Sequence, residues 1–125
     1  MILDTNALSA FADGDLDIQP ILTRAVELAI PVIVLGEYSY GIAQSRLRLR
    51  YESWLADLTT ACRILSINQA TAIQYAKVRD ELKRIGQPIP ANDVWIAAIA
   101  REHKMPLLSR DRHFDAVQGL KRIAW

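Results

Sequence analysis

Short apolar runs of strand character, spaced by helical stretches, limit how this chain can fold more than any other feature. Residues 2–4 read as a first strand, 31–35 as a buried second, 64–67 as a short third, 106–109 as a fourth and 123–124 as a fifth. Helical patterning fills the gaps at 7–11, from Pro20 to 28, from Glu37 to 45 and on to 58, and from Asn68 to 85. Strands that alternate with helices pair in parallel, because a parallel pair needs a crossover connection. The expected fold is therefore α/β, an open parallel sheet of four to five strands covered by helices. In such sheets a site lies beyond the C-terminal ends of the strands.

Finer signals fit this layout. Leu47, Tyr51, Trp54, Leu55 and Leu58 share one face at helical spacing, with Leu47 toward the core and Leu49 pointing nearly the other way. Asn68 is a good N-cap for a helix whose Tyr75, Val78, Leu82 and Ile85 form an apolar stripe, and Gly86, Pro88 and Pro90 stop it. The next helix opens after Pro90 and is apolar on all sides over 94–100, which predicts burial in the middle of the domain. Arg101, His103 and Lys104 suit the C-terminal end of its dipole.

At 125 residues the chain is expected to be one domain, 1–125, large enough for a core without staples. Cys62 is the only cysteine, which excludes an internal disulfide or a thiolate zinc site and fits a reducing, cytoplasmic location. No basic leader precedes Asp4 and no apolar run reaches the roughly 18 residues of a membrane span, so neither export nor membrane embedding is expected. A net charge of +1 provides no general attraction to a polyanion. Nucleic acid would have to be met by local cations or by bound metal.

Four carboxylates occupy the positions where such a sheet places its chemistry. Asp4 ends the first strand, Glu37 follows the second after Gly36, Asp93 opens the buried helix and Asp111 follows the fourth strand. They come from four segments far apart in sequence, so only the fold could bring them together. Singly, each has a plain structural reading: Asp93 as an N-cap, Glu37 as a first-turn partner of the helix dipole, Asp111 as a turn former. Together, carboxylates a few ångström apart repel and raise one another's pKa unless a hard cation neutralises them. Two Mg2+ would balance the four charges.

The segments Leu3-Asp4-Thr5-Asn6, Gly36-Glu37 with Gly41-Ile42, Asn92-Asp93-Val94-Trp95-Ile96-Ala97-Ala98 and Ser109-Arg110-Asp111-Arg112-His113-Phe114 resemble PIN-domain nucleases, most of all the VapC-type toxins. The resemblance implies a PIN-like three-layer sandwich with helices on both faces of the sheet. It implies an endoribonuclease dependent on Mg2+ or Mn2+, the toxin of a toxin–antitoxin pair, hydrolysing RNA by a metal-activated water to leave 5′-phosphate and 3′-hydroxyl ends. Asp4, Glu37, Asp93 and Asp111 match the acidic quartet, catalytic and metal-holding. Thr5, Asn6 and Ser109 match the supporting residues. Where many relatives carry a further acid, this chain has His113, which implies a weaker second metal position. The implied partners are an RNA substrate, a cognate antitoxin and a second copy in a homodimer, with no membrane.

Other readings have specific signatures. His103 and His113 could serve as the acid and base of a metal-free ribonuclease. His103 is more simply a helix-end cation, and Asp115 a solvated helix residue. A phospho-receiver signalling domain has similar length and strand-end acids, but needs an acidic pair after strand one and an acceptor Asp after strand three; here Asp4 stands alone and 66–68 read Ser-Ile-Asn. A catalytically silent PIN-like binding module would not need all four acids. Arg46, Arg48 and Arg50 surround Leu49, an arrangement that fits contact with RNA or antitoxin as well as a solvated basic face. No P-loop or dinucleotide fingerprint is present.

Overall fold

The computed structural model describes all of residues Met1–Trp125. Strands β1 (Ile2–Leu3), β2 (Ala29–Pro31), β3 (Arg63–Leu65), β4 (Leu107–Leu108) and β5 (Arg122–Ile123) form one wholly parallel sheet in the order β3-β2-β1-β4-β5. Helices α1 (Thr5–Ala12), α2 (Gln19–Arg24), α3 (Val32–Ile42), α4 (Arg48–Ala61), α5 (Gln69–Arg84) and α6 (Ala91–His103) fill the crossovers, and a 3-10 helix, Arg112–Ala116, links β4 to β5. The crossovers run outward from β1 to β3, then jump back to β4 and β5. Right-handed crossovers in opposite directions put their helices on opposite faces, giving the three-layer sandwich. The topological switch lies between β1 and β4, whose C-terminal ends lead directly to Asp4 and Ser109.

The central strands are short but fully buried: Ile2, Leu3, Ala29, Ile30, Leu107 and Leu108 have no exposed surface. Helix α6 packs among them with Ile96, Ala97, Ala98 and Ile99 all fully buried, as the apolar 94–100 run predicts. Asn68 caps α5 in a capping box with Thr71. Tyr51, Trp54, Leu55 and Leu58 pack on the core, with the Trp54 ring edge-on to Phe11 at 5.3 Å. No helix is long and apolar enough to cross a membrane.

The sequence expectations fail at several boundaries, for identifiable reasons. The second strand is Ala29–Pro31, not 31–35, and Val32 already begins α3. The β-branched run had suggested a strand, yet Val34, Tyr38 and Ile42, spaced by one helical turn, form the buried stripe, and Pro31 sits extended just before it as the N-cap. Burial of that stripe overrides local β-propensity. The third strand is Arg63–Leu65 rather than 64–67, and the helix expected over 20–28 ends at Arg24. Helix α3 ends at Ile42 rather than 45, and α4 runs on to Ala61 rather than 58. Leu47 and Ile85 do not face the core. They occupy the N-cap of α4 and the C-cap of α5, where the chain leaves the helical register, and are 48% and 56% exposed. Leu49, at 73%, points outward as expected.

Candidate metal centre

Asp4 ends β1 and caps α1, so one residue closes a strand and opens a helix. Its Oδ1 accepts the Thr5 N–H at 2.8 Å. Its Oδ2 accepts the Ser109 hydroxyl at 2.6 Å and the Asn6 amide at 3.1 Å. Ser109, fully buried just past β4, uses every bonding capacity of its hydroxyl: it donates to Asp4 and accepts from the Asp111 N–H at 2.9 Å and Asn6 Nδ2 at 3.3 Å. Asn6 Oδ1 accepts the Arg110 N–H at 3.2 Å, which fixes the orientation of that amide. These bonds clamp the ends of β1 and β4 across the switch point.

Asp111 caps the 3-10 helix, its Oδ1 accepting the His113 N–H at 3.0 Å. The His113 ring turns inward, with Nδ1 3.1 Å from Asp111 Oδ1 and 3.4 Å from Asp93 Oδ2. Asp93 comes from the first turn of α6. Ligand atoms of Asp93, Asp111 and His113 all lie within 4.8 Å of one another. Glu37 enters from α3, beside Thr5. Its Oε1 and the Thr5 hydroxyl are both buried without a hydrogen-bond partner.

The electrostatics show that the acids share one field. Burial pushes the Asp4 carboxyl above its ordinary range, with its hydrogen bonds pulling it back and the Asp111 charge adding to the rise. Glu37 is raised by burial first and then by the charges of Asp4 and Asp93, while the nearby Thr5 hydroxyl lowers it. Asp93 is likewise raised by burial, lowered by the bond to His113, and raised by Asp4 and Asp111. Each penalty is one that a cation among these oxygens would remove.

The Glu37 oxygen and the Thr5 hydroxyl are buried beside each other with no other partner, among acids whose charges a hard cation would neutralise. The donors are almost all oxygen, carried on the body of α3, the first turn of α6 and the chain just past β1 and β4, which suits a hard divalent cation. The centre can therefore hold a divalent cation and present it to an anionic substrate.

The structure brings together Asp4, Glu37, Asp93 and Asp111 with Thr5, Asn6, Ser109 and His113. It does not bring Arg46, Arg48, Leu49 or Arg50 to them. Those four line a separate surface hollow formed by 43–50, and Arg48 pairs with Glu52 at 3.6 Å. His103 lies in the last turn of α6 beside Glu102, and so cannot pair with His113 as acid and base. Asp115 is not a free solvated acid: Arg122 clamps it at 2.7 and 2.9 Å, and also donates to the Ser109 carbonyl at 3.0 Å. Sequence reasoning missed Arg122, because nothing in an isolated Lys-Arg-Ile signals that β5 returns beside β4.

Comparison with known proteins agrees with this geometry. The PIN domain family model matches residues 1–120. Ribonuclease VapC5 of Mycobacterium tuberculosis is 30% identical, over 98% of this chain and 90% of its own length. Among solved structures, VapBC2 from Rickettsia felis bound to a DNA fragment from its promoter superposes with a TM-score of 0.86 at 24% identity, covering 99% of this chain and 97% of that one. VapBC-5 from M. tuberculosis, of the VapBC family of toxin–antitoxin systems, superposes at 0.77 with 25% identity, over 99% and 97% of the two chains. A continuous match of family model, relatives and fold, with the four acids gathered at the switch point, makes this chain a member of the PIN-domain family and a relative of the VapC ribonucleases.

Proposed function

We propose that this chain is the ribonuclease toxin of a toxin–antitoxin pair, a metal-dependent endoribonuclease formed by a single PIN domain over 1–125. The observation that carries this reading is the meeting of carboxylates from four segments at the sheet's switch point, Asp93 and Asp111 within one ligand cluster with His113 and Asp4 and Glu37 close enough to act on their charges. Asp4, Glu37, Asp93 and Asp111 are the residues that would hold Mg2+ or Mn2+. When bound, the metal would lower the pKa of a water and neutralise charge on the phosphodiester.

The chain's own residues do the positioning. Ser109 and Asn6 hold Asp4 so that its Oδ2 cannot rotate away, and leave a lone pair on Oδ1 free. Thr5 places a hydroxyl beside Glu37, able to donate to that carboxylate or to a bound water. His113 bridges Asp93 and Asp111 on the exposed side, where substrate must enter.

The printed names of the relatives, ribonuclease and toxin–antitoxin complex, support an RNA substrate and an antitoxin partner. We assign the hollow around Leu49, with Arg46, Arg48 and Arg50, to that partner or to a second copy, acting in the cytoplasm. The test is cleavage of RNA by purified protein. Mg2+ or Mn2+ should support it, EDTA should abolish it, and Asp93→Asn should be inactive in the same preparation. Cleavage that persists in EDTA and leaves 2′,3′-cyclic phosphate ends would overturn the metal mechanism.

A further inference from the structure

Two surface hollows flank the 85–90 connection between α5 and α6. The first, about 490 Å3, is lined by Ile85, Pro88, Ile89, Arg112 and His113 among others. His113 is the same side chain whose other face meets Asp93 and Asp111, so this hollow adjoins the candidate metal centre. The second, about 340 Å3, shares Pro88 and Ile89 with the first and adds Arg79 and Lys83. Both volumes lie in the range of about 300–1,000 Å3 usual for ligand sites.

The chemistry of this track is distinctive. Arg112, Arg79 and Lys83 are exposed and none has a carboxylate within ion-pair distance, although Arg79 donates to the Tyr75 hydroxyl at 2.6 Å and lies over that ring. The one acid at its edge, Asp115, is already neutralised by Arg122. Between the cations lies an apolar floor that includes Ile85, which is 56% exposed. Exposed cations without an ion-paired acid, spaced along an apolar floor, fit a polymer with a charged backbone and flat apolar faces.

We infer that this track binds single-stranded RNA next to the scissile phosphate, with Arg112, Arg79 and Lys83 on successive phosphates and Ile85, Pro88 and Ile89 against the bases. The inference rests on the nuclease reading above and deepens it. The basic hollow at 43–50 has similar charge but contains no side chain that touches the acids, whereas the first 85–90 hollow contains His113, which meets Asp93 and Asp111, so continuity favours the 85–90 track for substrate.

The test is binding of a single-stranded RNA, read by fluorescence anisotropy in Mg2+ across a salt series with each variant made in the Asp93→Asn background, which should not cleave the strand, beside cleavage of the same strand by each variant in the wild-type background. Arg112→Ala, the double variant Arg79→Ala with Lys83→Ala, and Ile85→Ser should each raise Kd and KM about five- to tenfold with little change in kcat. Each lost phosphate contact should also reduce the slope of log Kd against log salt by about 0.7. Arg24→Ala, an unpaired arginine on α2, should change neither Kd nor slope. If wild type cleaves RNA while the track variants bind with unchanged Kd and slope, the track is refuted and the nuclease reading stands. Loss that instead follows Arg46→Ala and Arg50→Ala moves the strand to the other hollow and refutes it too. If wild type cleaves no RNA at all, the nuclease reading fails and this inference with it.

Discussion

The two sides of the carboxylate crevice are built on opposite principles. On the Asp4 side both carboxylate oxygens and the Ser109 hydroxyl are bonded: Ser109, Asn6 and the Thr5 and Asp111 N–H groups form a network across the ends of β1 and β4. On the Glu37 side a carboxylate oxygen and the Thr5 hydroxyl are buried without partners, and Asp93 relies on a long contact to His113. An unsatisfied buried polar group costs on the order of 1–3 kcal/mol, so the open side is less stable as it stands. The closed side fixes where a ligand sits, and the open side supplies the free energy for taking one up.

The largest effects that could break this contrast are on catalysis. Asp4→Asn, Glu37→Gln and Asp93→Asn should each lower cleavage by about a hundredfold or more, the scale of losing one electrostatic stabiliser of a transition state. Near wild-type turnover in any of them would remove that residue from the site. Asp111→Asn should be milder, because water can replace a ligand at the rim. Ser109→Ala and Asn6→Ala touch only the closed side, and should lower activity or metal affinity by about 10–100-fold. Calorimetry would show that loss as weaker metal binding.

Stability separates the two sides more finely. Ser109→Ala removes a hydrogen bond to a buried carboxylate and should destabilise the metal-free protein by about 1.5–3 kcal/mol in denaturant titration. Glu37→Gln should raise the melting temperature of the metal-free protein slightly, because it removes a charge that burial and its neighbours disfavour. The pH dependence has the matching sign. Asp4, Glu37 and Asp93 all have folded-state pKa values above the unfolded ones of about 4. Their stabilising contribution is therefore complete below pH of about 4 and is lost as pH rises through the raised folded values. Metal-free protein should lose stability over that window, and saturating Mg2+ should restore it at neutral pH. A flat profile for wild type and Glu37→Gln alike would contradict the shared field.

Much of this was legible in the sequence, and the failures share a cause. Asp4 and Asp111 are N-caps just past strand ends and leave local signatures there, whereas Asp93, read as an N-cap, lies in the first turn of α6 behind the true N-cap Pro90. Glu37 was found by type and neighbourhood, but its setting was misread: it follows β2 within the body of α3, because the 34, 38, 42 stripe is buried against partners that no local pattern reveals. The closed network itself was beyond reach, since Ser109 meets Asp4 only through the register of β1 beside β4. The cation track was missed for the same reason. Arg79, Lys83 and Arg112 are unremarkable singly and become a feature only when α5, the 85–90 connection and the 3-10 helix meet.

The central claim is that four acids from four segments make one divalent-metal site. Calorimetric titration of Mn2+ at neutral pH into wild type and into the triple variant Asp4→Asn, Glu37→Gln, Asp93→Asn tests it most directly. The account predicts saturable binding to wild type and none to the triple variant, with both folded by circular dichroism. Equal binding to the two proteins, or no binding to wild type, would contradict it.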